Sequence, residues 1–146
     1  MTRREQLLQV LAQDIDQDCA EYELLLSAQQ QLYQQLLRRD SAQIELTNAQ
    51  ITEYLKGLSA RSVRRNKVLA AFSLAPGSDS MQRLFGQFGA QENARLQATW
   101  QRLGALVAQC QAQNQHNGQL LAMHNDILNQ LLAASDAEPL YQPRHY

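Results

Sequence analysis

The chain has 146 residues, of which 24 are leucine, 23 glutamine and 19 alanine. These residues favour helices, whereas glycine (6) and proline (3) are scarce, as are the residues that favour strands. The composition therefore excludes sandwich, barrel and doubly wound folds, and the length suits one domain with one core. The formal net charge of −1 gives the whole chain no electrostatic reason to bind nucleic acid or an anionic membrane.

The first predicted helix covers about residues 3–38, where apolar residues recur at alternating steps of three and four without Gly or Pro. Asp18 and Gln29 occupy two positions of this apolar seam. A second helix is expected to begin at Asp40 or Ser41, because either side chain can accept hydrogen bonds from the first free amides of a helix.

The segment Ala75–Asp79 is a dense cluster of helix breakers, so we expect the second helix to end near Leu74. A short helix follows, through Phe88. The last helix is predicted from about residue 91 to residue 134. Residues 135–146 contain two prolines and no apolar periodicity, which predicts a disordered tail.

These elements predict an all-α domain over residues 1–134. Three long helices and one short helix pack most economically as an up-down antiparallel, coiled-coil-like bundle. Leu, Ile, Val and Phe together make up about a quarter of the chain, near the lower limit for a stable core. We therefore expect a marginally stable bundle that opens readily or completes its core with a partner.

No catalytic or metal-binding constellation is apparent, so the sequence predicts a protein that is not an enzyme and holds no cofactor. His116 and His124 are about 80° out of phase on a helix, so they cannot coordinate one metal ion together. Cys19 and Cys110 lack metal or redox spacing and are expected to be buried free thiols in a reducing cytoplasm. The acidic residues of the first helix are expected to form a solvated face: Asp14, Asp16, Asp18, Glu21 and Glu23.

A basic run, Arg61 to Lys67, carries four cationic side chains and no acidic one. Since it lacks interleaved aromatic residues, a solvated helix face that favours acidic partners is preferred here over a nucleic-acid site. No apolar segment reaches the length of a signal peptide core or a membrane span. The sequence thus predicts a soluble, cytoplasmic protein without membrane insertion.

The most informative segment is the polar interval Gln113–Gly118 in the last predicted helix. Amides at seam positions weaken packing but fix the register of paired helices. The interval forms either a water-lined patch or part of a groove where another helix docks. In the second case Asn114 and Asn117 set the register, and the anchors are Leu120, Leu121, Ile127, Leu128 and Leu131.

Two segments also resemble a known family. Gln113-Asn114-Gln115-His116-Asn117-Gly118-Gln119-Leu120-Leu121 resembles the Asn-Gln-His-Asn-Gly box of the FlgN family of flagellar type III export chaperones, and Glu138-Pro139-Leu140-Tyr141 resembles the tail segment that follows it there. The resemblance implies a small helical cytosolic chaperone. It would bind the carboxyl-terminal helical parts of the hook-filament junction proteins FlgK and FlgL, and prevent their premature assembly and degradation.

The resemblance also implies roles for individual residues. Tyr141 would dock on the export gate protein FlhA, with Tyr146 as the alternative ring, because Gln142–Tyr146 stands where the family usually has a Gly-rich tail. The alternatives are a self-associating helical scaffold or coiled-coil adaptor, and an enzyme subunit whose activity lies in a partner. When free, the protein is expected to form weak homodimers that give way to a one-to-one complex. The substrate-binding positions would be Asn114, Asn117, Gly118, Leu120, Leu121, Ile127, Leu128 and Leu131.

Overall fold

A computed structural model describes residues 1–134, so the predicted tail with Tyr141 and Tyr146 lies outside the described residues. Within them the chain forms only helices, which confirms the predicted all-α class. The helices are α1 (Arg3–Arg38), α2 (Ser41–Ala71), α3 (Ser78–Phe85) and α4 (Ala90–Ala134).

Local side-chain chemistry sets where the helices begin and end. Thr2 and Glu5 form a reciprocal capping box at the start of α1. Arg39 adopts a left-handed conformation (φ 54°) that ends α1, and the Asp40 carboxylate accepts a hydrogen bond from the Gln43 amide at 3.2 Å to cap α2. The α1–α2 turn therefore needs only two residues.

Two boundaries differ from the prediction. α2 ends at Ala71 rather than near Leu74, because Ser73 takes a positive φ of 58° while Phe72 and Leu74 still pack against the core as non-helical residues. α3 stops at Phe85, short of Phe88. α4 runs without a break through its polar interval.

The long helices alternate in direction, as predicted. Along α1 and α2, Asp14 pairs with Arg64 and the later Glu21 pairs with the earlier Arg61, so these helices are antiparallel. α1 and α4 run parallel, since Asp16 pairs with Arg95 and Gln29 contacts Asn117 further along both. α1 packs extensively on both α2 and α4, whereas the latter two approach each other little. Because α2 and α4 both pack on α1 but hardly on each other, a gap remains between α2 and α4, with α1 at its base.

The main apolar core lies where α1 and α4 begin and α2 ends, and we call this the core end. α3 closes it, with Phe85 fully buried and its ring edge-on to Trp100 at 6.0 Å between ring centroids. A smaller cluster of Leu25, Leu58 and Cys110 follows midway along the bundle. The buried members of the main core are Leu8, Leu11, Ala12, Ile15, Val68, Leu69, Met81, Leu84, Phe85 and Leu96.

The expectation of a solvated acidic face on α1 is wrong for Asp14 and Asp18, which are only 5% and 2% exposed. Asp14 accepts two hydrogen bonds from the Arg64 guanidinium, at 2.6 and 2.7 Å. Asp18 is shared between Arg61 and Arg65. The acidic and basic runs therefore face each other across the α1–α2 interface.

The basic run is likewise not a uniformly solvated face. Arg61 is 6% exposed and also donates to Glu21 at 2.7 Å. Burial disfavours its charge, but the hydrogen bonds to Asp18 and Glu21 outweigh burial and raise the pKa of Arg61. Arg65 lies over the Trp100 ring, 5.8 Å from its centroid. The run thus ties α2 to α1 and, through Trp100, to α4.

Candidate docking groove

An open groove lies at the opposite end of the bundle, next to the α1–α2 turn. It consists of two adjoining cavities of about 300 and 230 Å³ between α1, α2 and α4. Both cavities are lined by Leu36, Ser41, Ile44 and Leu121, so they form one continuous surface. The first also takes in Leu32, Glu45, Asn48, Asn114, Asn117 and Gly118, and the second Arg39, His124, Asn125, Ile127, Leu128 and Leu131.

Three large apolar side chains of α4 are exposed along the groove. Ile127 is 42% exposed, Leu128 43% and Leu131 64%. These residues succeed each other at helical spacing on α4, so they form a stripe rather than scattered exposures. Contiguous apolar surface of this kind makes the groove the candidate interaction site of the described residues.

The end of α4 lacks a full set of neighbours because of its register with α1. The contact between Gln29 and Asn117 and the ring stacking of Tyr33 on His116 place the end of α1 level with about residues 121–126 of α4. The last eight or more residues of α4 therefore extend about 12 Å beyond α1, at 1.5 Å per residue. This overhang forms one wall of the groove without an opposing α1 turn.

Asn117 fixes this register through hydrogen bonds inside the protein. Its side-chain amide donates to the Gln29 carbonyl oxygen of α1 at 2.8 Å, and its side-chain oxygen accepts from Gln113 at 2.9 Å. Asn117 is 5% exposed. It therefore sets the register between α4 and α1, and not, as predicted from its position in the apolar seam, the register of a docked helix.

Polar groups also line the open walls of the groove. Asn114 on α4 is exposed, and Asn48 on α2 is half-buried. Ser41 and Glu45 lie on the same wall as Asn48. An occupant would thus meet an apolar floor with hydrogen-bonding groups at its sides, which is the usual composition of a specific docking site.

The structure brings seven of the eight substrate-binding positions expected from the sequence to this groove. Leu120 is the exception: it is 6% exposed and lines neither cavity. Sequence reasoning missed the walls that α1 and α2 contribute, among them Leu32, Leu36 and Ile44. Their apolar spacing matches that of core residues, but α2 and α4 hardly contact each other, so Leu32 and Ile44 stay half-buried and Leu36 lies at the buried floor of the cavities.

His116 and the two cysteines contact other residues of the protein. His116 stacks on Tyr33 with 4.4 Å between ring centroids. Cys19 and Cys110 are free and buried, as predicted, and burial raises the pKa of both thiols. Across residues 1–134, no three His, Cys, Asp or Glu side chains are grouped so as to hold a metal ion. None of the described helices is long and apolar enough to cross a membrane.

The fold and the groove define a helical bundle with its main core at one end and an apolar groove at the other. The family model described as FlgN protein matches residues 1–139. The chain therefore belongs to the FlgN family, the flagellar export chaperones. No curated protein and no solved structure matches the chain significantly.

Proposed function

We propose that the groove binds the carboxyl-terminal helical regions of the hook-filament junction proteins FlgK and FlgL in the cytoplasm. The bound chaperone keeps these proteins unassembled and delivers them to the type III export gate. The observation that carries this proposal is the exposed stripe Ile127, Leu128 and Leu131 beside a cavity floor that contains the half-buried Leu121 and the buried Leu36. A helix would bury this apolar surface.

The dimensions of the groove support a helical occupant. Its α4 wall extends from Asn114 to Leu131, a distance of about 25 Å at 1.5 Å per residue. This length matches about five turns of helix. The occupant would take the place of a fourth long helix between α2 and α4, where the bundle lacks one.

The chaperone acts by binding and without catalysis. Several acidic side chains of α1 that could serve as acids or bases are held by arginines, including Asp14, Asp18 and Glu21. A binding protein of this kind needs no cofactor. Delivery would require a second contact, which we assign to Tyr141 and the gate protein FlhA on the basis of the tail's resemblance to the family.

Binding to a carboxyl-terminal fragment of FlgK tests the proposal. Leu121→Asp and Leu128→Asp should each abolish the complex, because a carboxylate would have to lose its water inside an apolar contact. Leu24→Asp is the matched control, since Leu24 is 53% exposed and lines neither cavity. All three variants should keep the helical circular dichroism of the native protein.

Retained binding by both groove variants would place the substrate site elsewhere. Sedimentation velocity separates the chaperone from the alternative of a self-associating scaffold. We expect weak dimers of the free protein, formed through the same apolar surface, that FlgK converts to a one-to-one complex. Stable dimers that ignore the fragment would support the scaffold instead.

A further inference from the structure

Three glycines lie inside the long helices, and the described structure explains the absence of a side chain at only one of them. A Cβ added at Gly57 of α2 would collide with the Glu21 carboxylate, which Arg61 holds in place. A Cβ added at Gly104 or Gly118 of α4 would meet nothing within 4 Å. Packing inside the protein therefore explains Gly57 and leaves the two glycines of α4 unexplained.

Gly118 differs from Gly104 in its position relative to the groove. It lines the first cavity of the groove between Asn114 and Leu121, at the end of the polar interval, whereas Gly104 lines a separate cavity of about 380 Å³ beside Trp100. Glycine is the poorest helix former apart from proline, so the isolated helix would be more stable with alanine there. No atom lies within 4 Å of the position of the missing Cβ, and the residue lines the groove.

We propose that the docked helix crosses α4 at Gly118, where the absence of a Cβ lets the two helix backbones approach closely. Packed helices are separated by about 8–10 Å according to the side chains at their contact point. A glycine at that point favours the shortest separation. This inference rests on the proposed function, and it names Gly118 as a residue that determines which helix fits.

The occupant is a single amphipathic helix of a partner protein. The α4 wall of the groove, from Asn114 to Leu131, is about 25 Å long and apolar at its far end, which suits such a helix. The lining also carries charges of both signs, with Glu45 on α2 and Arg39 at the turn. A helix that places a basic residue near Glu45 and an acidic residue near Arg39 would complement them.

The test compares Gly118→Ala, Gly118→Leu and Gly104→Ala. Both alanine variants should raise the melting temperature of the free protein by about 2–5 °C, because alanine favours the helix. Binding to the FlgK fragment should weaken about tenfold in Gly118→Ala and about a hundredfold or more in Gly118→Leu. Gly104→Ala should bind as the native protein does, since Gly104 lies outside the groove.

Three other outcomes would overturn the inference. Native affinity in Gly118→Ala and Gly118→Leu would mean that no backbone approaches there. Equal losses in these two variants, or an equal loss in Gly104→Ala, would show that the effect comes from a stiffer α4 and not from the space at residue 118.

Leu131→Asp, measured in the same assay, separates this inference from the proposed function. If Leu131→Asp abolishes binding while the Gly118 variants bind normally, the groove is the site and only the crossing point is wrong. If Leu131→Asp also binds normally, the groove itself is not the substrate site, and the crossing point falls with it.

Discussion

Asp18 of α1 and Arg61 of α2 form an ion pair that is almost completely removed from solvent, with side-chain exposures of 2% and 7%. The two residues are 43 positions apart in the chain. Arg65 and Glu21 complete the hydrogen bonding of the pair, at 2.8 and 2.7 Å. The pair therefore joins the two helices at a point where apolar packing alone would not specify their alignment.

Removing the cation of this pair should destabilise the protein strongly. In Arg61→Met, Glu21 loses its partner and Asp18 keeps only Arg65, so buried negative charge is left without compensation. We expect the free energy of unfolding, measured with urea, to fall by about 3 kcal/mol. Lys56→Met is the control, because the Lys56–Glu53 pair is about 70% exposed on both sides and should change stability by about 0.5 kcal/mol or less. Equal effects in the two variants would contradict the structural role of the buried pair.

The Asn117 amide should stabilise the groove end of the bundle. Asn117→Ala removes the hydrogen bonds to Gln29 and Gln113, and we expect a loss of about 1 kcal/mol. Hydrogen exchange should speed up in the carboxyl-terminal half of α4 and change little at the core end. Asn114→Ala is the matched control three residues earlier, where the side chain is exposed. Equal exchange in both variants would show that the register of α4 does not depend on Asn117.

The two buried thiols should make stability depend on pH in the alkaline range. Burial raises the pKa of Cys19 and Cys110 in the folded protein, whereas thiols of the unfolded chain ionise near pH 8.5. Their contribution is fully present below about pH 8.5 and is lost as the pH rises through the folded-state pKa values. We therefore expect the urea midpoint to fall as the pH rises above about 8.5. A Cys19→Ala, Cys110→Ala double variant should show a flatter profile, and an identical slope in both proteins would refute the assignment.

The tail prediction concerns residues outside the described structure. Tyr141→Ala should leave FlgK binding unchanged but weaken docking of the loaded chaperone on FlhA, and it should reduce secretion of the junction proteins. Tyr146→Ala should do less. Deletion of residues 136–146, with FlgK and FlhA binding measured separately, completes the test. Loss of both activities would indicate a folding role for the tail, and loss of neither would exclude a docking role.

The helices could be predicted because their apolar residues recur over long stretches that contain few breakers. The end of α2 could not, since Phe72 and Leu74 continue the apolar pattern although Ser73 has already left the helix. In that region, non-helical residues that pack against the core have the same apolar spacing as the residues of a helix. A positive φ at a serine leaves no clear mark in the sequence.

The ion pairs and half of the groove were beyond prediction for a different reason. Asp18 occupies a position of the apolar seam, but nothing near Asp14 or Asp18 in the sequence identifies their arginine partners, which lie 43 to 50 positions away. The α4 wall of the groove could be predicted from the sequence because amides interrupt an apolar seam there. The α1 and α2 walls depend on how far apart α2 and α4 lie, which no local pattern encodes.

The parallel orientation of α1 and α4 has a practical consequence for any experiment that attaches the protein to a label or a surface. The amino terminus lies at the core end, and α4 ends beside the groove, so the two points are separated by the length of α1, roughly 54 Å for 36 residues, plus the overhang of about 12 Å. A fusion or biotin at Met1 would lie far from the groove and leave it accessible. The same group attached after residue 134 would lie beside Leu131 and compete with the partner under study.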